Sequence, residues 1–176
     1  MCAALPDPPP GPPPAVTLRP VTAEDVAGVL ALNLAEEVRL APMDPARLTY
    51  LQSRADRFDV VEVEGTPSGF VVTMAPGADY DSQNHQWFRE RYGDDFYYLD
   101  RIALSPAVRR RGVAGRVYDE LEAVAAAYGR MALEVNLLPP NPGSLAFHRG
   151  RGYAEVGRLG DEEHLVVLLT KELPRA

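Results

Sequence analysis

The chain has 176 residues, 46% hydrophobic and 24% charged, which predicts one globular domain whose core needs neither disulfides nor a metal. Its formal net charge of −7 argues against nucleic acid as the main partner, because phosphate backbones favour positively charged proteins. Cys2 is the single cysteine and no apolar run approaches the ~20 residues of a membrane helix, so we expect a cytoplasmic protein without a membrane partner.

Proline dominates the start of the chain, where it occupies seven of the first 15 positions. Such a run cannot join a helix interior or a central strand. We therefore expect a disordered tail over residues 1–15 and an ordered domain over residues 16–176. The alternative is that the tail binds a partner domain as a polyproline II ligand.

Hydrophobic periodicity and turn residues predict the elements of the first half of the chain. In order they are a strand at Val16–Arg19, a helix with Thr22 as N-cap and Asp25 in its first turn, a second helix from near Asp44, and a hairpin of strands Phe58–Val63 and Phe70–Met74 around a turn at 65–69. Residues 77–95 have no clear period, so we expect a long connection with a short helix around Gln86–Arg91.

A strand, a long helix and another strand are predicted next, and they should form a right-handed crossover between parallel neighbours. The helix carries an apolar stripe and should end at Gly129, which suits the left-handed residue after a helix. The predicted elements are the strand Phe96–Leu104, the helix Gly112–Tyr128, the strand Met131–Val135, a short helix Ser144–Arg151, and a final hairpin of Ala154–Leu159 and Leu165–Leu169.

The turn that opens the long helix, Arg109–Gly115, is the most informative segment. Small residues at a helix start leave backbone N–H groups free, and the helix dipole adds positive charge there. With three arginines beside them, these groups predict a pyrophosphate site. The turn lacks the Gly-Lys-Ser/Thr of a P-loop and the Gly-x-Gly-x-x-Gly of a dinucleotide site.

Arg109-x-x-Gly112-x-Ala114 resembles the acyl-coenzyme A signature, Gln/Arg-x-x-Gly-x-Gly/Ala, of the GNAT superfamily of N-acyltransferases. Leu99–Pro106 resembles the family's fourth strand, and Asn141–Tyr153 resembles its later Asn…Phe-Tyr-x-x-x-Gly-Phe segment. The element order agrees from Val16 to about Leu173. The resemblance implies an α/β fold with a mixed, mostly antiparallel central sheet that contains a splayed parallel strand pair and is flanked by helices.

The resemblance implies an N-acetyltransferase that moves an acetyl or short acyl group from acetyl-CoA to a primary amine by direct attack in a ternary complex. The acceptor would be a small molecule or a peptide amine, no metal is expected, and a homodimer is compatible with the family. The coenzyme-binding residues implied are Ile102, Ala103, Leu104, Arg109, Arg110, Arg111, Gly112, Val113, Ala114, Gly115, Asn141, Ser144 and Phe147. Asn141 and Ser144 could instead simply cap the short helix.

Direct attack needs a base for the amine and an acid for the leaving thiolate. Strand alternation places Tyr98, Asp100, Ile102 and Leu104 on one face, and we expect Asp100 to be the base. Tyr98 matches a known general-base position of some family members. The alternative is a structural Asp100 paired with Arg101.

His148 stands where many family members carry a tyrosine that protonates the thiolate, and we expect it to take this role. It could instead be a solvated helix residue or only a hydrogen-bond donor to the coenzyme. The departure from the family's tyrosine also leaves open a coenzyme-binding module without turnover. A third hypothesis is a different pyrophosphate ligand.

The acceptor pocket should lie between the first two helices, the strands of the cleft and residues 77–95. Its expected residues are Asn33, Glu37, Asn136 and Glu134, of which Glu134 is also a reserve base. Acidic and aromatic residues in 77–95 would suit a cationic amine. The alternative is a solvated loop whose aromatic rings face the core.

Overall fold

A seven-stranded sheet runs through the computed structural model of the chain, which describes residues 13–175. The strands are β1 (Val16–Pro20), β2 (Arg57–Val63), β3 (Thr66–Met74), β4 (Tyr97–Leu104), β5 (Arg130–Leu138), β6 (Ala154–Gly160) and β7 (Leu165–Glu172). The α-helices of the described residues are α1 (Val26–Ala35), α2 (Pro45–Arg54), α3 (Gln83–Tyr92), α4 (Val113–Ala125) and α5 (Pro142–Gly150). Short 3-10 helices occupy Pro106–Val108 and Ala126–Tyr128.

The strand order across the sheet is β1-β2-β3-β4-β5-β7-β6. Neighbouring strands are antiparallel except β4 and β5, which are parallel and connected through α4. The parallel pair requires this crossover, because parallel neighbours cannot be joined by a tight turn. The predicted fold class, a mixed and mostly antiparallel sheet with one parallel pair flanked by helices, is confirmed.

The helices divide between the two faces of the sheet. One face, which we call the α4 face, packs Val113, Val117 and Leu121 of α4 against β-strand side chains such as Leu99 and Leu133. The other, the α1–α2 face, is covered by α1, α2 and α3, with core residues that include Val29, Leu51, Phe88 and Tyr98. Each face therefore has its own hydrophobic core.

The predicted start of the first helix is wrong. α1 begins at Val26, and its N-cap Asp25 makes no side-chain bond to the helix. The Asp25 carboxylate instead accepts hydrogen bonds from the N–H and hydroxyl of Thr22, each at 2.8 Å, and from the Arg19 guanidinium at 2.7 Å. Thr22 is therefore a donor to the carboxylate of Asp25 and not the cap.

Two further elements are longer than predicted. β3 begins at Thr66 because the hairpin turn uses only Glu64 and Gly65, both with positive φ (53° and 77°), which suits a two-residue turn between twisted strands. α3 covers ten residues of the predicted connection, and the Ser82 hydroxyl caps it by accepting from the His85 N–H at 3.3 Å.

The predicted tail lies mostly outside the described residues. Of its last three positions, Pro14 is buried, and the Ala15 carbonyl accepts a hydrogen bond from the Glu64 N–H at 2.9 Å. These contacts hold the chain against the β2–β3 hairpin just before β1 begins.

A β-bulge at Asp100 changes which face each residue of β4 occupies. The pairing with β3 passes from Arg101–Val72 to Leu99–Thr73, so Asp100 has no partner across the ladder. After the bulge, Ile102 packs on the α4 face with Leu99, while Tyr98 lies on the opposite face. The prediction that Tyr98, Asp100, Ile102 and Leu104 share one face is therefore wrong.

Candidate active site

The parallel strands β4 and β5 separate after a short stretch of pairing. They pair only at Tyr97–Met131, Tyr98–Ala132 and Leu99–Leu133, although β4 continues to Leu104 and β5 to Leu138. The gap opens into a cavity of about 1210 Å³. Its walls come from the segment after α1 on one face and from α4 and α5 on the other, so the opening joins the two faces of the sheet.

The N-terminus of α4 opens toward one end of this cavity. The first intrahelical bond runs from the Arg116 N–H to the Gly112 carbonyl at 3.2 Å. No residue of the described chain accepts from the N–H groups of Val113, Ala114 or Gly115. Gly112 adopts a φ of 77°, and a Cβ there would meet no atom within 4 Å. Free N–H groups beside open space form a site suited to an anion.

The arginines of the turn have different partners. Arg109 donates from Nε to the Leu104 carbonyl at 3.2 Å and pairs with Glu36, so it ties the turn to the segment after α1. Arg111 lies 3.6 Å from Glu64 in an exposed pair. Arg110 is exposed, lines the cavity at a positive φ of 60°, and has no ion pair within residues 13–175. Arg110 is therefore the arginine free to contact a phosphate.

The predicted coenzyme residues fall into two groups. Those that line the cavity are Ile102, Ala103, Leu104, Arg109, Arg110, Ala114, Asn141, Ser144 and Phe147. The side chains of Arg111 and Val113 do not, and Val113 is 1% exposed in the core of the α4 face. Gly112 and Gly115 offer backbone only. At α5, Asn141 accepts from the Ser144 N–H at 3.3 Å, so the capping role is present in residues that also line the cavity.

Asp100 and Arg101 form a buried ion pair at 2.7 Å, with side chains 5% and 3% exposed. The other Asp100 oxygen accepts from the Tyr80 hydroxyl at 2.5 Å. Arg101 also donates to Asn33 Oδ1 and to the Ala41 carbonyl, each at 3.1 Å. The structural pairing of Asp100 with Arg101, one of the two alternatives from the sequence, is therefore present.

Glu134 stands beside Asp100 at the point where the strands part. The buried Tyr98 hydroxyl donates to Glu134 Oε2 at 2.6 Å, and Tyr98 itself does not line the cavity. Burial of the Glu134 carboxyl has the largest effect on its pKa, and the nearby charge of Asp100 has the next largest. Together they raise the pKa of Glu134 to about 7. Burial also raises the pKa of Tyr98, so its proton stays on the phenol. Glu134 thus reaches the cavity as a carboxyl that titrates near neutral pH.

His148 is 4% exposed, and both of its ring nitrogens are engaged. Nδ1 lies 2.7 Å from the Ser144 carbonyl oxygen, which can only accept, so Nδ1 carries the proton. Nε2 then accepts from the Tyr118 hydroxyl at 2.7 Å. Burial lowers the pKa of His148, which keeps the ring neutral near pH 7. In this arrangement the only ring proton of His148 points at backbone.

The predicted acceptor residues are spread over two cavities. Glu134 and Asn136 line the main one, and the Asn136 amide donates to the Arg39 carbonyl at 3.3 Å. Asn33 is buried and forms hydrogen bonds with Arg101 and the Ala41 carbonyl. It lines a second cavity of about 330 Å³. Glu37 is exposed and lines both cavities.

A family model described as the acetyltransferase (GNAT) family matches residues 27–153, which is more than half of the chain. The chain belongs to the GNAT family. The predicted family is confirmed. The matched residues run from α1 through the turn before α4 to the end of the α5 region, so they include most of the residues that line the cleft.

Solved structures of GNAT proteins share this shape at low sequence identity. Ard1 from Thermoplasma volcanium is 17% identical, with a TM-score of 0.70 over 90% of this chain and 98% of Ard1. The ribosomal-protein-S18-alanine N-acetyltransferase from Escherichia coli is 17% identical, with a TM-score of 0.59 over 92% and 96%. The Salmonella typhimurium protein yncA, solved with its cofactor acetyl-CoA, is 16% identical, with a TM-score of 0.64 over 92% and 96%. These likenesses show the fold.

Two tyrosines of this GNAT chain belong to the site although no sequence pattern predicts a functional role for them. Tyr118 lies one position beyond Val117 in the apolar stripe of α4, where a core role is the simplest interpretation, and it reaches His148 across 30 residues. Tyr80 stands in the irregular segment before α3 and reaches Asp100. Only the folded chain brings these hydroxyl groups to the cleft.

Two features are absent from residues 13–175 of this GNAT chain. No three histidine, cysteine or acidic side chains are grouped so that they could hold a metal ion. None of the helices is both long and apolar enough to cross a bilayer.

Proposed function

We propose that this GNAT protein transfers an acetyl or other short acyl group from acetyl-CoA to a primary amine within a ternary complex. One observation carries the proposal: the opening between β4 and β5 joins the free N–H groups of α4 on one face to the Glu134 carboxyl on the other. A donor and an acceptor entering from opposite faces would meet in this opening. Bringing two reactants together in this way can supply roughly 7–11 kcal/mol of the barrier.

The α4 face would hold the coenzyme. The N–H groups of Val113, Ala114 and Gly115 are free to bind the pyrophosphate, and Arg110 is free to neutralise it. Beyond the bulge at Asp100 and as far as Leu104, β4 pairs with β3 but not with β5, so backbone groups on its β5 side, apart from the Leu104 carbonyl that Arg109 occupies, are available to an extended pantetheine arm. The chemistry supplied by the coenzyme is an activated thioester.

Glu134 is the group that we propose as the base. It accepts a proton from the ammonium form of the acceptor, and the neutral amine then attacks the thioester carbon, so that the new N–C bond forms while the C–S bond breaks. The attacking nitrogen releases its second proton to solvent, and the departing thiolate takes up one proton from an acid. A pKa near 7 suits this role, because the carboxylate form is available at neutral pH and still basic enough to take a proton. Tyr98 acts through Glu134 as a positioning residue.

The sequence points to Asp100 as the base, but both of its oxygens already accept hydrogen bonds, from Tyr80 and Arg101. We therefore propose that Asp100 shapes the cleft and that its charge keeps the pKa of Glu134 high. For the leaving thiolate, we propose the Tyr118 hydroxyl as proton donor: its O–H turns from His148 Nε2 to the sulfur, and the phenolate is reprotonated from solvent. His148 would position that hydroxyl, since its own ring proton is held by the Ser144 carbonyl.

The test is release of free thiol from acetyl-CoA in the presence of a panel of primary amines. We expect kcat/KM to rise with pH and to level off above about 7, because the base works only after Glu134 has lost its proton. Glu134→Gln should lower the rate by about 10²-fold or more and remove this inflection. The exposed Glu90→Gln on α3 is the matched control.

Intersecting double-reciprocal plots would support direct transfer, whereas parallel plots would indicate a covalent acyl-enzyme. Coenzyme binding without thiol release on any amine would favour the module without turnover. A Glu134→Gln enzyme with the rate and pH profile of the wild type would contradict the assigned base.

A further inference from the structure

The charge of the cavity on the α1–α2 face points to the chemical class of the acceptor. We call this part of the cavity the acceptor end; its walls come from residues 36–42, Arg47, three residues of the segment 80–84, and the parted strands around Asp100 and Glu134. The inference below rests on the proposed function, because it concerns the second substrate of the same site.

Every arginine at the acceptor end already has a carboxylate partner. The pairs are Arg39–Glu36, Arg47–Asp81 and Arg101–Asp100, and Glu36 also pairs with Arg109 of the turn before α4. The Arg47 pair is held by two hydrogen bonds, at 2.6 and 2.8 Å, and the Arg101 pair is almost fully buried. Opening the buried pair would leave an uncompensated charge inside the protein. Each arginine here therefore already has a carboxylate partner with which an acceptor carboxylate or phosphate would have to compete.

Two acidic groups at the acceptor end make no ion pair within residues 13–175. Glu134 accepts only from neutral donors such as the Tyr98 hydroxyl. Glu37 is exposed, lines the cavity, and makes no ion pair with any residue from 13 to 175. The acceptor end therefore attracts cations and repels anions.

The second cavity extends the acceptor end past Glu37. The two cavities share Glu37, Pro42 and Arg47 as walls. The additional walls of the second one include Leu34 and Met43, which offer an apolar surface. A chain that continues past a charged group held at Glu37, as in a longer polyamine, would lie along this surface, because apolar contact favours its methylene groups and the carboxylate favours the cation.

We propose that the acceptor is a linear alkyl diamine, a class that includes longer polyamines. The reacting amine lies at Glu134, and a second, protonated amine is held by Glu37 where the two cavities meet. Amino acids and other acceptors with a carboxylate near the amine are disfavoured, because every arginine at the acceptor end, within residues 13–175, is already paired with a carboxylate.

The experiment compares three acceptors of equal chain length, which are diaminobutane, butylamine and γ-aminobutyrate. Their far ends are cationic, apolar and anionic. We expect kcat/KM to fall in that order, with the diamine about tenfold or more above the monoamine, which corresponds to one favourable charge contact of about 1.4 kcal/mol. Because Glu37 is exposed, this advantage should shrink as ionic strength rises.

Glu37→Gln should raise KM for diaminobutane and bring the ratio of diamine to monoamine kcat/KM close to one. Glu90→Gln removes another exposed carboxylate, one that lines neither cavity, and should keep the ratio of the wild type. As a readout independent of turnover, calorimetry with the protein–coenzyme A complex should show that diaminobutane binds more tightly than butylamine and that Glu37→Gln removes the difference.

Failure of this inference is distinguishable from failure of the proposed function. Turnover of butylamine or γ-aminobutyrate at the rate of the diamine, or an unchanged ratio in Glu37→Gln, overturns the diamine assignment and leaves acyl transfer in place. If no acceptor releases thiol, the proposed function fails, and the calorimetric comparison alone decides whether the cavity binds diamines.

Discussion

At the scale of single residues, the site depends on two carboxylates with opposite surroundings. Asp100 is compensated by the buried Arg101 guanidinium. Glu134 has only neutral donors close to it, and the charge of Asp100 raises its pKa further. Neighbouring carboxyl groups whose surroundings separate their protonation states divide structural and proton-transfer roles between them. Glu134 is therefore the group able to exchange a proton near neutral pH.

Asp100→Asn should destabilise the fold, since it leaves Arg101 as an unpaired charge that is 3% exposed. We expect the free energy of unfolding to fall by about 3–5 kcal/mol, measured by urea denaturation. Asp81→Asn is the control: it breaks the pair with Arg47, in which Asp81 is 57% exposed, and should cost about 1 kcal/mol or less. Equal effects of the two substitutions would contradict the buried-pair interpretation.

At the scale of elements, the turn before α4 and the end of β4–β5 pairing create the cleft. Gly112 lets the chain enter α4 with a left-handed residue, which leaves the first N–H groups of the helix open. The bulge at Asp100 adds a residue to β4 close to where pairing with β5 stops at Leu99. A strand with a bulge twists and bends more strongly than a regular one, which is consistent with its departure from β5.

Gly112→Ala should weaken coenzyme A binding, measured by calorimetry. A Cβ at Gly112 would meet no atom within 4 Å, so the substitution causes no clash. The φ of 77° is unfavourable for alanine, and we expect it to lower the free energy of unfolding by about 1–2 kcal/mol. Gly28→Ala is the matched control, because its Cβ also meets open space but its position is inside α1. It should stabilise the fold by up to about 1 kcal/mol and leave the affinity unchanged. Unchanged coenzyme affinity in Gly112→Ala would contradict the proposed pyrophosphate site.

At the scale of the whole molecule, the sheet separates two cores and the cleft connects them. α4 covers one face, and α1, α2 and α3 cover the other. The segment after α1 crosses the cleft, where Glu36 contacts Arg109 and the Arg39 carbonyl accepts from Asn136. Both substrates would therefore contact elements that already contact each other, and we expect their binding to stabilise the whole domain.

Coenzyme A should stabilise the protein against heat, because ligand that binds only the folded state adds its binding free energy to folding. At a concentration 100 times Kd the gain is about 2.7 kcal/mol, or roughly 5–10 °C in Tm for a domain of this size. Arg110→Ala should reduce the shift. ADP and NAD are the competing ligands in this scan, and a shift with either that equals the shift with coenzyme A would favour a different pyrophosphate ligand.

The sequence by itself determined the elements and the family. Local periodicity marked the strands and helices, Gly129 marked the end of the helical segment that begins with α4, and the spacing of Arg109, Gly112 and Ala114 identified the family. These signals depend on neighbours within a few residues, so they are readable in the chain. The predicted start of α1 and the predicted length of the hairpin turn are wrong by a few residues. Element boundaries are hard to predict because several local hydrogen-bonding patterns compete there.

Only the tertiary structure decided which face the β4 side chains occupy and where the protons lie. One bulged residue reverses the alternation after Asp100, and no local pattern announced it. The bonds from Tyr98 to Glu134 and from Tyr118 to His148 join residues 36 and 30 positions apart. The pKa of a carboxyl group, and the choice of which histidine ring nitrogen carries the proton, depend on burial and on hydrogen-bond partners. Both exist only after distant segments have packed together.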